Sequence, residues 1–471
     1  MTSQAEDPPR LFEGRDPVFP QRVSGWFRRF KWWLMSFTLA IYYLTPWIRW
    51  DRGANLPDQA VLIDLENARF YFFWIKIWPH ELYFVAGLLI MAGLGLFLFT
   101  SVLGRVWCGY ACPQTVWTDL FILVERWVEG DRNQRIRLLR AKWSLRKFRL
   151  RITKWVVWLL IAMATGGAWV FYFADAPTLL RDLFSGQAAF VAYGTIAVMT
   201  ATTFIFGGFL REQVCTYMCP WPRIQAAMMD EDSLTVAYRD WRGEPRGKLG
   251  KAKGDCIDCM ACVNVCPQGI DIRDGQQVEC ITCALCIDAC DTVMERIGRP
   301  RGLIDYCSLS DEPLERAGQP PKPIWAHVLR LRNFIYFGLW AGIGIAMVVA
   351  LFIRSDFSVS VKPDRNPRFV TLSDGTVRNA YDLKINNQTG EARTFHVSIK
   401  TNDPLRVDLQ GTDTLSVIVP ADNNFHQRVY IFAKPEYAAS KTKLSPVRFW
   451  IEERLSGERT YVDSGFSGDA R

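Results

Sequence analysis

Five apolar stretches without a single charge constrain this chain more than any other feature. They run approximately Trp32–Ile48, Leu82–Leu103, Trp155–Phe173, Ala188–Leu210 and Phe334–Ile353. A helix that crosses a bilayer needs about 20 apolar residues, with roughly 17–25 as the working range. One such run can be a buried helix of a soluble protein. Five together predict an α-helical transmembrane bundle. The first is the shortest and carries Pro46 near its end. The 19 Trp and 30 Phe suit the aromatic belts at membrane interfaces.

The net charge of +8 then reads as topology. Arg22, Arg28, Arg29 and Lys31 precede the first run, and nine Lys and Arg lie between Arg132 and Arg151. Arg330 and Arg332 precede the fifth run. The connection from Asp51 to Glu81 has only Arg52, Arg69 and Lys76, and that from Ala174 to Gln187 only Arg181. This alternation follows the positive-inside rule. It predicts an inner-membrane, multi-pass protein with a cytoplasmic N-terminus and a periplasmic C-terminus. Nucleic acid is not an expected partner. The first thirty residues are charged and contain Pro, so no cleavable signal peptide is expected.

The 13 cysteines all lie at or before Cys307. A disulfide-built secreted protein would not confine them so. Eight fall into two adjacent runs. Cys256, Cys259, Cys262 and Cys266 are followed by Pro267, and Cys280, Cys283, Cys286 and Cys290 repeat the spacing. C-x2-C-x2-C-x3-C-P is the bacterial ferredoxin run for two 4Fe–4S clusters. Three close thiolates wrap three corners of one cubane, and the fourth leads away to the other. The expected ligand sets are therefore Cys256, Cys259, Cys262 and Cys290, and Cys280, Cys283, Cys286 and Cys266. Asp291 stands where the second run would carry its Pro. Structural zinc also uses C-x2-C pairs, but eight cysteines in two unbroken runs do not fit it.

A second repeat follows the second and fourth apolar runs. Cys108 and Cys112 precede Pro113, and Cys215 and Cys219 precede Pro220, each as C-x3-C-P. On one helix, residues i and i+4 share a face about 5–6 Å apart. Such thiols can chelate a soft cation, form a transient disulfide or share a four-thiolate site. Met218 adds a thioether, and these ligands favour Cu(I). Buried structural cysteine is the plainer alternative, and it is the reading for lone Cys307. The four histidines, His80, His327, His396 and His426, lie outside the apolar runs, which leaves a haem without axial ligands. No G-x-G-x-x-G follows a predicted strand.

From Ser355 to Arg471 short alternating strands are separated by turn signals such as Asp374-Gly375 and Asp403-Pro404. They predict an all-β immunoglobulin-like sandwich. His396 and His426 read as ordinary strand residues in it. The expected organisation is an N-terminal segment at 1–31, a four-span membrane domain at 32–230 and a ferredoxin-like domain at 231–330. A fifth span at 331–354 and the sandwich at 355–471 complete it.

The chain resembles the cytochrome c oxidase accessory protein family CcoG, also called FixG or RdxA. The resemblance rests on WCGYACPQTVWTD at Trp107–Asp119, ERWVEGDR at Glu125–Arg132 and REQVCTYMCPW at Arg211–Trp221. It extends through RGEPRG at Arg242–Gly247, both cluster runs and GRPRGLI at Gly298–Ile304 to the sandwich. The C-x3-C-P motifs and clusters are also similar to those of NapH- and NosR-like membrane ferredoxins. The resemblance implies a cupric reductase that supplies Cu(I) to the assembly machinery of a cbb-type cytochrome c oxidase. It implies a cytoplasmic electron donor and is compatible with a homodimer. A quinol-linked membrane ferredoxin and a non-enzymatic assembly scaffold are the alternative readings.

Overall fold

The computed structural model describes residues 17–53, 56–248 and 253–469, so the segment expected at 1–31 lies partly outside the described residues. The chain forms two compact units, one of Met1–Trp50 and Gln59–Met347, the other of Asp51–Asp58 and Val348–Arg471.

In the first unit and its exit helix, four helices are long and apolar enough to cross a membrane. They are Pro79–Leu103, Leu145–Val170, Phe190–Met218 and Leu331–Phe352. Their apolar side chains point largely away from the protein: Leu89 and Ile345 are 69% and 64% exposed. Exposing apolar surface to water costs about 25 cal/mol per Å², so these helices suggest a lipid surround.

The first apolar run departs from expectation. Its helix is Trp26–Leu44, shifted toward the N-terminus, and a 3-10 turn at Thr45–Trp47 follows. Arg28 and Lys31 therefore lie inside the helix, buried at 5% and 2% exposure. Two carboxylates allow this. Asp119 pairs with Arg28 at 2.9 Å and Lys31 at 3.5 Å. Asp288 accepts the backbone N–H groups of Phe27 and Arg28 at 3.3 and 2.7 Å. With these charges in its first turns, the helix is not among the four.

The helix Pro113–Glu129 is amphipathic, with Asp119, Glu125 and Glu129 on its buried side. Glu125 meets Arg211 at 2.5 Å and also pairs with Arg135. Glu129 meets Lys154 at 3.0 Å and Arg151 at 3.1 Å. Buried charges persist only when paired in this way. Burial alone would raise the carboxyls of Asp119 and Glu125. Lys31 and Arg28 hold Asp119 below the usual range, and Arg211 and Arg135 do the same for Glu125. The helix from Phe190 runs on through two π turns, Phe206–Leu210 and Val214–Met218. Gly207 and Gly208 lie in the first, where an added Cβ would sit 3.3 Å from the Phe121 ring and 2.9 Å from the Trp158 ring.

The cysteine-rich module is closed by an antiparallel pair, Thr235–Tyr238 against Ile304–Cys307. Cys307 is buried there opposite Thr235. Between the strands lie the short helix Ala261–Val265 and the longer Leu285–Arg296.

The second unit is a sandwich of two antiparallel sheets. One orders its strands Arg406–Leu409, Asn424–Ala433, Val377–Asn387 and Phe357–Pro363, with Val370–Thr371 beside Val377–Asn387. The other orders Ser416–Val419, Arg393–Thr401, Ser445–Glu453 and Arg459–Phe466. Burial alternates along Val377–Asn387, as a half-buried strand requires. Tyr381, Leu383, Phe395, Val429 and Phe449 fill a shared core. His396 faces Ser416 at 3.3 Å and His426 faces Asp382 at 3.2 Å, so each is a surface strand residue with one polar neighbour.

Candidate iron–sulfur site and the adjoining thiols

Two cysteine-lined cavities occupy the module. Cys256, Cys259, Cys262 and Cys290 line one. Cys266, Cys280, Cys283 and Cys286 line the other, with Cys262 on the wall between them. The local backbone explains how short loops wrap them. Asp258 and Met260 flank Cys259 with φ of +53° and +58°. Thr282 and Ala284 flank Cys283 with φ of +54° and +57°. The left-handed region costs a non-glycine residue roughly 1–2 kcal/mol. Its use at matching places in both loops turns successive N–H groups into an anion-binding concavity.

The donor set fits an iron–sulfur cubane. No carboxylate lines either cavity, and the remaining walls are largely apolar. Burial pushes the Cys266 and Cys290 thiols up to about 12, with Cys283 and Cys262 as the next causes. Crowded buried thiols of this kind ionise when iron binds, because coordination deprotonates the sulfur. Among the described residues no three His, Cys, Asp or Glu close around a point as they would for a single metal ion.

The C-x3-C-P motifs differ from a helical i, i+4 pair. Cys108 lies in the short helix Val106–Tyr110, whereas Cys112 is extended with ψ of 129°. Cys215 lies in the second π turn, whereas Cys219 is extended with ψ of 124°. The prolines give the reason. A residue before proline is pushed out of the helical region, so Pro113 and Pro220 break each motif at its second cysteine. The four thiols still gather within electrostatic range of one another. Cys108 donates to Gln225 Oε1 at 3.0 Å. Burial pushes its thiol up to about 11.

The first motif also docks on the second cavity. Cys108, Ile281 and Cys283 share one apolar cluster. A Cβ on Gly109 would sit 2.5 Å from the Ile281 carbonyl oxygen and 3.0 Å from Cys283 Cα. Tyr110 donates to the Cys283 carbonyl at 3.1 Å, and Tyr306 donates to the Thr282 carbonyl at 3.3 Å. Cys215 lines a small polar cavity with Asp119, Pro267 and Gln268. Gly109, Tyr110, Asp288 and Tyr306 carry no spacing signal. Gly109 and Tyr110 stand inside the C-x3-C, where only the fold shows what they touch.

Comparison with known proteins agrees with this geometry. A family described as a 4Fe-4S dicluster domain matches residues 210–309. A 4Fe-4S binding domain family matches 84–148. The Ig-like fold at the C-terminus of FixG matches 347–469. Protein RdxB of Cereibacter sphaeroides is 63% identical, covering 99% of both chains. Protein RdxA of the same organism is 60% identical over 94% of this chain and 95% of its own. Nitrogen fixation protein FixG of Rhizobium meliloti is 57% identical over 97% of this chain and 94% of its own. With identity this high over nearly the full length, the chain belongs to the FixG/Rdx family and is an iron–sulfur electron-transfer protein.

Proposed function

We propose that this protein reduces Cu(II) to Cu(I) at the C-x3-C-P thiols, for delivery to a cbb-type cytochrome c oxidase under assembly. The observation that carries the reading is the shared packing of Cys108 and Cys283 in one buried apolar cluster. The ligand sets are Cys256, Cys259, Cys262 and Cys290 for one cluster, and Cys266, Cys280, Cys283 and Cys286 for the other. When bound, the clusters supply electrons one at a time, and one electron converts one Cu(II) to Cu(I).

The residues around the thiols favour that product. Thiolates bind Cu(I) in preference to harder ions, and a pair of them suffices where no third ligand closes. Cys112, Cys215 and Cys219 are each partly exposed, so a copper ion can reach them. Tyr110 and Gly109 hold the motif against the cluster loop. The basic segments favour a cytoplasmic N-terminus and cysteine-rich module, where a donor would meet the clusters. The C-terminal sandwich then faces the periplasm of the inner membrane.

The test uses purified protein, chemically reduced and freed of reductant, with Cu(II) and a Cu(I)-specific chelator. Reduction of copper that is lost in Cys108→Ser and Cys219→Ser supports the reading. Activity that survives Cys→Ser changes at all eight cluster cysteines would sink it.

A further inference from the structure

The nine Lys and Arg between Arg132 and Arg151 have no Asp or Glu among them. They occupy an elbow formed by the helix Arg132–Arg140, a short connection and the first turns of the long apolar helix Leu145–Val170. Three of the nine are satisfied within the fold. Lys147 Nζ donates to the carbonyls of Leu139 and Ala141 at 3.0 and 2.6 Å, which fixes the bend. Arg135 pairs with Glu125, and Arg151 meets Glu129 at 3.1 Å. Arg137, Arg140, Lys142, Arg146 and Arg149 differ. All five are exposed, and no carboxylate pairs with them among the described residues.

The positive-inside rule explains why cations stand at this end of a span. It does not explain why these are left unpaired. The fifth span has the opposite arrangement, where Arg330 and Arg332 both meet Asp230, at 2.7 and 3.0 Å. Large apolar side chains are interleaved with the unpaired cations. Trp143 is 72% exposed, Leu145 75% and Phe148 53%. Water suits the cations and penalises those apolar groups, whereas hydrocarbon does the reverse. The headgroup layer of a bilayer accepts both, since Trp rings sit at that level and long cationic side chains reach the phosphates. The depth agrees. At 1.5 Å per residue, Arg149 lies about 6 Å along the helix axis from Leu145.

We propose that this elbow is a binding surface for anionic phospholipid, with the five unpaired cations on lipid phosphates and Trp143, Leu145 and Phe148 against the upper acyl chains. A group of roughly four to eight Lys and Arg beside the end of a span attracts negatively charged headgroups. A zwitterionic lipid carries the same phosphate together with its own cation, so the surface prefers the anionic one. The proposal is independent of the copper reading and needs only the membrane helices.

The experiment is native mass spectrometry of the full-length protein from detergent micelles holding equal amounts of dioleoyl phosphatidylglycerol and dioleoyl phosphatidylcholine. Retained lipid should favour phosphatidylglycerol by about fivefold, the effect of one cation near the surface. Gln at all five cations should abolish the preference. Lys142→Gln with Arg146→Gln should lower it, and this pair carries the test if the fivefold variant fails to insert. Arg332→Gln removes a paired cation from another span and should leave the preference unchanged. Excess inorganic phosphate should not displace the lipid. Equal retention of the two lipids by the wild type overturns the proposal and leaves the cations for an acidic protein. Undiminished preference in the Lys142 and Arg146 variant, an equal loss in Arg332→Gln, or displacement by phosphate also overturns it.

Discussion

Tyr110 donates its hydroxyl to the backbone carbonyl of Cys283 at 3.1 Å. One residue lies between the two cysteines of a membrane-edge motif, and the other lies in a cluster loop 173 positions away. The bond ties the two cysteine repeats of the chain into one structure.

That bond predicts an electrochemical effect. Tyr110→Phe removes a donor from the loop that carries the second set of thiolates. Hydrogen bonds and exposure around the sulfurs set cluster potentials, and donors favour the more negative, reduced form. The potential of the second cluster should fall by roughly tens of millivolts, since 59 mV corresponds to a tenfold change for one electron. An EPR-monitored redox titration reads this, with iron content unchanged as the control. An identical potential in the variant would show that the bond has no electrostatic reach.

Gly109 predicts a packing effect. A methyl group there would meet the Ile281 carbonyl oxygen at 2.5 Å and the Cys283 backbone at 3.0 Å. Backbone cannot yield as a flexible side chain can. Gly109→Ala should therefore push the second loop off the motif and lower iron and sulfide per chain. Loss of about half the iron is expected if one cluster site opens. Full iron content with normal copper reduction would refute the close approach.

Asp288 predicts a local stability effect. It caps the helix Trp26–Leu44 from the cluster helix, through the N–H groups of Phe27 and Arg28. Loss of a capping side chain typically costs about 1 kcal/mol. Asp288→Ala should raise hydrogen exchange at residues 27 and 28 well before it alters the C-terminal sandwich. Unchanged exchange at those two amides would remove the cap from the account.

Asp119 predicts a pH effect with a definite sign. Lys31 and Arg28 hold its carboxyl below the ordinary value against the opposing pull of burial. A carboxyl depressed in the folded state stabilises the fold above its unfolded pKa of about 3.9. That contribution is lost as pH falls from there through the folded value. Asp119→Asn should flatten the acid side of the melting-temperature profile. At pH 7 it should also destabilise the protein by about 3–5 kcal/mol, because two buried cations lose their partner. Parallel profiles for variant and wild type would contradict the pairing.

The sequence shows some of these relationships and hides others. Repeated cysteine spacing is local, because a cubane must be wrapped by thiolates from one short loop, so both runs are legible in residues 256–290. The helix–proline break at Cys112 and Cys219 is equally local, since proline restricts the residue before it. The reading of each motif as an i, i+4 helical pair overlooked that restriction. The first apolar run misled for a different reason. Charge marked its start at Trp32, but Asp119 and Asp288 neutralise and cap charged turns as early as Trp26.

By itself the sequence determined the apolar helices, the two cluster runs, the thiol repeat and the alternating strands of the sandwich. Each is written in a short-range pattern of spacing or periodicity. Only the tertiary structure decided that Cys108 packs with Cys283 and that Tyr110 and Gly109 seat on the cluster loop. These contacts join residues more than a hundred positions apart. Packing density and the pairing of buried charge select them, and neither leaves a mark in the local order of residues.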